Sequence, residues 1–267
     1  MFDYLDMDID ERTGVNRIHL DRPERRNALS GALVAELKEA LALADADERV
    51  RVVGLAGRGP DFCAGADLAE VQASVEEGVL ASLREAEALG ELFTLLRKLS
   101  KPVVAVVHGR ALAGGCGLAT ACDLVLAAES ARFGYPEVRL GFVPAMVTAV
   151  LRRNLGEKRA FELMALGDPI DAGEAARLGL VNRVYADGDF ETEASAFLEE
   201  LAGRSASAIE LTKRLLYGAD AQSFEAAIAA GARVNALARM TDDCQAGIRG
   251  FLSKAERSKG DSKGEKA

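Results

Sequence analysis

The sequence is short of the side chains that bind metals. Its only histidines are His19 and His108, and none of its four cysteines (Cys63, Cys116, Cys122, Cys244) forms a C-x-x-C pair. This argues against a zinc site, which gathers Cys and His ligands at close spacing. It fits reduced thiols in a cytosolic protein better than a disulfide framework. Basic residues are in deficit: 33 Lys and Arg stand against 42 Asp and Glu, a formal net charge of −9. Nucleic acid and anionic lipid both need a basic field, so both are disfavoured as partners. No apolar run approaches the ~20 residues that span a bilayer. The opening stretch "MFDYLDMDIDERTG" lacks the apolar core of a secretion signal. A soluble, cytoplasmic protein with no metal, membrane or nucleic-acid partner is expected.

What is present supports a sizeable core: 267 residues, 49% of them apolar, enough for one large domain or one domain with an appendage. Strand-like runs fall at 15–20, 50–57, 102–107, 123–128 and 180–185. Ser30 is placed to cap a helix in which Leu33, Val34, Leu37 and Leu41 recur at helical spacing. Residues 68–99 read as helix, and helical patterns dominate after about Glu199. The predicted organisation is a strand–helix core over 1–198, a helical oligomerisation region over 199–256, and a tail over 257–267 rich in Lys, Gly and Ser and too poor in apolar residues to pack.

One stretch asks for an explanation. "HGRALAGGCGLATACD" (108–123) follows the buried strand "PVVAVV" and carries four glycines. Such glycines permit either close packing or a close approach of backbone to a ligand. A dinucleotide fingerprint does not fit: a third glycine is missing, and a strand begins by Asp123, too soon for a crossover helix. The Gly-Lys-Ser/Thr ending of a P-loop is absent as well. A second small-residue loop, "FCAGADL" (62–68), also follows a buried strand. Two such loops after neighbouring strands could aim two backbone N–H groups at one oxygen, forming an oxyanion hole. A helix starting at Gly114 would add partial positive charge there. Glu137, just past Pro136 in "FGYPEVRLG", is an acid among apolar residues.

Four segments in order, "RPERRNALS", "GRGPDFCAGADL", "KPVVAVVHGRALAGGCGLATACDLVLAAESARFGYPEVRLGFVP" and "DAGEAARLGLVNRV", resemble the enoyl-CoA hydratase/isomerase (crotonase) superfamily along nearly the whole chain. The resemblance implies an α/β fold, a spiral of ββα units with a C-terminal helical trimerisation region, assembled as a homotrimer or homohexamer. It implies an acyl-CoA thioester substrate and no cofactor beyond the coenzyme A that the substrate carries. By motif, the oxyanion-hole N–H groups fall on Ala66 and Gly114, and Glu137 is the acid/base. Arg25, Arg26, Asn27, Ala64 and Leu68 fall around the adenine and phosphates of CoA, with Asp67 and Gly115 beside the oxyanion residues. Lys254 would reach a phosphate in a neighbouring subunit. Phe142, with Val143 and Met146, suits an acyl pocket or ordinary core.

The sequence departs from the hydratase pattern at two places, one of them the segment after the acid loop, where "GFVPAMVTAV" replaces a glycine-rich stretch. Hydratases of the family hold and activate water between two glutamates, and the first would stand at position 117, which is glycine. A single glutamate suits a proton shuttle between C2 and C4 of an enoyl thioester, so isomerisation is favoured and hydration left open. On that reading Gly117→Glu would restore the pair. Asp67, Glu70, Glu77 and Glu87 are further acids whose positions the sequence does not fix. Decarboxylation, thioester hydrolysis, or a catalytically weak CoA- or RNA-binding role are alternatives on one scaffold.

Overall fold

The computed structural model describes residues 2–264, with side chains through Ser253. It divides into two compact units, Met1–Gly203 and Arg204–Ala267. The predicted boundary at 198/199 falls inside a helix of the first unit. Leu198 and Ala202 of that helix are buried in the apolar cluster that holds Val52 and Val104, so burial keeps the whole helix with the core.

The first unit is built on a six-stranded sheet in the order β1-β2-β3-β4-β6-β9. Its strands are β1 (Leu5–Asp10), β2 (Val15–Leu20), β3 (Val52–Gly57), β4 (Val103–Val107), β6 (Leu124–Ala128) and β9 (Arg183–Tyr185). All neighbours pair in parallel except β1 and β2, which form an antiparallel hairpin. A small second sheet joins β5 (Arg110–Leu112), β7 (Arg132–Gly134) and β8 (Ile170–Asp171). The pairs β4/β5 and β6/β7 each send one strand to the large sheet and the next to the small one, and a helix follows. Parallel strands covered on both faces read as continuous apolar runs, which is why β3, β4 and β6 are plain in the sequence. β1 is hidden by its alternating acids in "LDMDID", and β5, β7 and β8 are too short to show a period.

Helix α1 (Gly31–Ala46) starts at Ser30, whose Oγ accepts from the Leu33 N–H, the predicted cap. The expected helix over 68–99 is two, α2 (Leu68–Glu77) and α3 (Val79–Lys98), broken at Gly78 with φ +105°. A short α4 (Gly114–Ala121) is wholly buried. Then follow α5 (Ala145–Asn154), α6 (Glu157–Leu166), α7 (Ala172–Leu178) and α8 (Phe190–Ala202). Helices α1, α3 and α4 pack into the core on one side of the large sheet, while α8 covers the other through Phe190, Ala194 and Leu198.

The second unit is helical, with α9 (Ala206–Gly218), α10 (Phe224–Ala238) and α11 (Asp242–Gly264). Ser205 and Ser207 at the start of α9 both donate to Asp243 of α11. The backbone of α11 extends into the segment read from sequence as a tail. The side chain of Lys254, expected near a phosphate, lies outside the described residues. Among the described residues no helix is long and apolar enough to cross a membrane.

Candidate active site

Three parallel segments place the site. Cys63 forms a bridge with Ala111 of β5, and Ala111 is opposite Phe133 of β7. Three residues beyond Cys63 is Ala66, three beyond Ala111 is Gly114, and four beyond Phe133 is Glu137. Because the pairings are parallel and the offsets nearly equal, all three leave the small sheet at the same end. Hydrogen bonds hold them there: Leu112 donates to Cys63 O (3.0 Å), and Ala113 donates to Gly134 O (2.8 Å).

The two candidate N–H groups are close. A Cβ built on Gly114 would lie 3.8 Å from the Ala66 nitrogen, and one built on Gly65 would lie 3.4 Å from the Gly114 nitrogen. Gly65 has φ +103°, and its missing side chain admits Ala113, whose Cβ would stand only 2.8 Å away. Ala113 itself is held at φ 49°, ψ −127°, a strained conformation for alanine at the turn into α4. Around Ala66, the chain pairs through its neighbours: Leu29 donates to Gly65 O and Asp67 donates to Leu29 O. Neither the Ala66 nor the Gly114 N–H has a hydrogen-bond partner among the described residues. Two free donors beside a helix N-terminus suit an oxygen that gains negative charge.

Glu137 lies in a 3₁₀ turn, Pro136–Leu140, entered through a proline at its first position. Its side chain is 8% exposed, and Oε2 is buried without a partner. Burial raises its pKa above that of an ordinary glutamate, opposed only by its own backbone N–H. Below it is a polar knot: Tyr135 is buried, its hydroxyl 3.2 Å from Thr120 Oγ1, and Thr120 Oγ1 donates to Cys116 O. Burial pushes the Cys116 thiol up to about 12, so it is no thiolate at neutral pH. Cys63 is pushed up to about 12 by the same cause.

Residues 10–261 match the enoyl-CoA hydratase/isomerase family. A protein of Thermus thermophilus, provisionally named an enoyl-CoA hydratase, is 43% identical over 91% of this chain and 96% of its own. The crystal structure of an enoyl-CoA hydratase from Mycobacterium smegmatis superposes with a TM-score of 0.90 at 35% identity, covering 94% of this chain and 96% of that one. The chain belongs to the enoyl-CoA hydratase/isomerase family. Human enoyl coenzyme A hydratase domain-containing protein 3 shares the fold too, with a TM-score of 0.89 at 27% identity, over 94% of this chain and 98% of that one. The α/β spiral with its C-terminal helices is therefore the crotonase fold, and the chain is an acyl-CoA enzyme.

Within this crotonase fold the other expected binding residues have distinct environments. Arg25 and Arg26 are exposed on the turn after β2, with no ion-pair partner among the described residues. The backbone joins that turn to the oxyanion loop, since Ala64 donates to Arg26 O at 3.0 Å. Asn27 is buried and its side chain is fully engaged: Nδ2 donates to Arg58 O and Asp61 O, and Oδ1 accepts from Arg22 N. Asp67 caps α2 by accepting from Ala69 N and pairs with Arg22 at 3.2 Å. Both side chains build the loops rather than face outward. Gly115 is likewise a packing residue, because a Cβ there would lie 2.3 Å from Cys63 O. Leu68 and Phe142 are 62% and 55% exposed. Of the spare acids, Glu70 accepts from Gly31 N at 2.7 Å, while Glu77 and Glu87 are exposed.

Position 117 corrects one expectation. A Cβ there would stand 2.3 Å from Val147 Cγ1 and 3.0 Å from Phe93 Cζ. The glycine leaves no vacancy for a glutamate, so Gly117→Glu alone does not restore a carboxylate pair. The sequence gives no sign of this, because Phe93 and Val147 lie on α3 and α5, far from position 117 in the chain. Their apolar spacing marks them only as core.

Proposed function

We propose that the protein isomerises an enoyl-CoA, with Glu137 as its single acid/base and the Ala66 and Gly114 N–H groups holding the enolate oxygen. The observation that carries this reading is Glu137 itself: a buried carboxyl with a raised pKa and an unpartnered oxygen, on a turn that leaves the small sheet at the same end as the two free backbone donors. With a 3-enoyl thioester, the carboxylate takes a proton from C2. The electron pair spreads over the dienolate, and charge builds on the thioester oxygen. The same carboxyl returns the proton at C4, and the double bond ends between C2 and C3. One oxyanion donor is worth ~10²–10³ in rate in enzymes of this kind. Nothing beyond the substrate's own coenzyme A is required, and its phosphates would meet Arg25 and Arg26 through charge-assisted hydrogen bonds.

The test is incubation with paired 2- and 3-enoyl-CoA esters in deuterated water. Deuterium at C2 or C4 without new oxygen supports the reading. A 3-hydroxyacyl-CoA as main product replaces it with hydration, the activity named for the Thermus relative. We also propose assembly into a trimer or hexamer. Leu216, Phe224, Ile228, Leu237, Met240 and Phe251 of the helical unit are all largely exposed in the single chain. A monomeric mass by light scattering at micromolar concentration would overturn that part.

A further inference from the structure

We infer that Val147, backed by Phe93, decides which reaction the Glu137 site performs by keeping water off the face of α4 at Gly117. This rests on the isomerisation reading above. Gly114 and Gly117 are one turn apart, so they share a face of α4. Helix α3 runs along that face: Leu89 Cδ2 would lie 3.6 Å from a Cβ on Gly114, and Phe93, one turn on, stands against Gly117. Helix α5 closes the remaining side. Met146 Cγ is 3.7 Å from a Cβ built on Gly90, and Val147 Cγ1 lies directly over Gly117. Val147 and Phe93 are 3% and 4% exposed.

A buried water needs two to four polar partners, and this wall offers none. The nearest hydroxyl along α4, Thr120, already donates to Cys116 O and meets the Tyr135 hydroxyl. The two reactions differ in what they need from solvent. Hydration adds a water's hydroxyl to C3 and a proton to C2, so a water must be held beside the double bond. Isomerisation moves one proton between C2 and C4 by way of a carboxyl whose proton exchanges with solvent, and it needs no water held at the double bond. An apolar wall one turn from the oxyanion donor therefore leaves the dienolate only reprotonation.

The experiment compares wild type, Val147→Thr and Val147→Ala on trans-3-hexenoyl-CoA and trans-2-hexenoyl-CoA, reading the ratio of 3-hydroxyacyl-CoA to isomerised product. Threonine keeps the shape and adds a hydroxyl, while alanine opens room. The expected result is a wild-type ratio below about one in ten and a rise of roughly tenfold or more in either variant that melts cooperatively. An unmoved ratio in a folded variant overturns the inference. So does a wild-type protein that yields mainly the 3-hydroxyacyl product, a result that needs no variant to fold. Glu137→Gln separates the two ideas: if it still isomerises, the reading of Glu137 fails. If it is inactive while the Val147 variants keep the wild-type ratio, only the wall fails.

Discussion

Asp61 and Glu137 are both buried carboxyls of the same unit, 2% and 8% exposed, and they have opposite surroundings. Asp61 Oδ1 accepts from the Arg110 guanidinium at 2.8 Å and from the Arg110 backbone N–H at 3.0 Å. The pair also raises the pKa of Arg110. Each keeps one buried oxygen without a partner, Asp61 Oδ2 and Glu137 Oε2, but among the described residues Glu137 has no cation beside it. A buried charge that serves the fold is paired, and an unpaired one costs stability. On the proposed mechanism Glu137 is a place where stability is given up for a proton carrier, while Asp61 is a strut for the loop that bears Cys63 and Ala66.

The largest effect that sharpens this contrast is on turnover. Glu137→Gln should lower it by ~10²–10⁴-fold while CoA-ester binding persists. Steady-state rates together with ligand-shifted melting check both halves. Asp61→Asn should do the reverse. It should cost about 1–3 kcal/mol of stability, since the amide keeps an acceptor for Arg110 but removes the charge that pairs with it and buries an NH2 where Oδ2 has no partner, and lower turnover less than Glu137→Gln does. Denaturant unfolding checks the cost. If Asp61→Asn were the more damaging to turnover at equal folded fraction, the division of roles would be wrong.

The same contrast has a pH signature. The folded-state pKa of Glu137 lies above its unfolded value, because burial disfavours the carboxylate. Between those two values the native state binds more protons, so its contribution to stability is present below the unfolded pKa and is lost as pH rises through the folded one. Glutamine carries no such term. Glu137→Gln should therefore melt above wild type at neutral and alkaline pH, with the gap closing in acid. Melting curves from pH 4 to 8 test the sign. The acid limb of turnover should likewise stand at higher pH than an ordinary carboxyl would set.

The smallest effects separate the glycines of α4. Gly117→Ala forces its methyl onto Val147 and should cost about 1–3 kcal/mol by overpacking. Gly114→Ala meets Leu29 and Leu89 at 3.5 and 3.6 Å, ordinary contact, and keeps its N–H. It should change stability little. Thermal melts of the two variants, read side by side, test the ranking.

The parallel strands, the capped α1 and the short α4 were legible in sequence because burial on both faces and cap chemistry leave local marks. The resemblance placed Ala66, Gly114 and Glu137. Register explains why all three leave the small sheet at one end, and register is invisible in a three-residue strand such as β7. The engagement of Asn27 and Asp67 in loop building was not legible, because their partners Arg58, Asp61 and Arg22 are identified only by the fold. The wall at Gly117 was missed for the same reason: a glycine in a sequence does not say what fills its space.

The most direct test of the account is solvent-isotope labelling by the wild-type protein. A 3-enoyl-CoA in deuterated water should give the conjugated 2-enoyl isomer, labelled only at C2 or C4, and Glu137→Gln should abolish both conversion and label. A product that carries a new hydroxyl at C3, or labelled isomer formed as fast by Glu137→Gln, would contradict it.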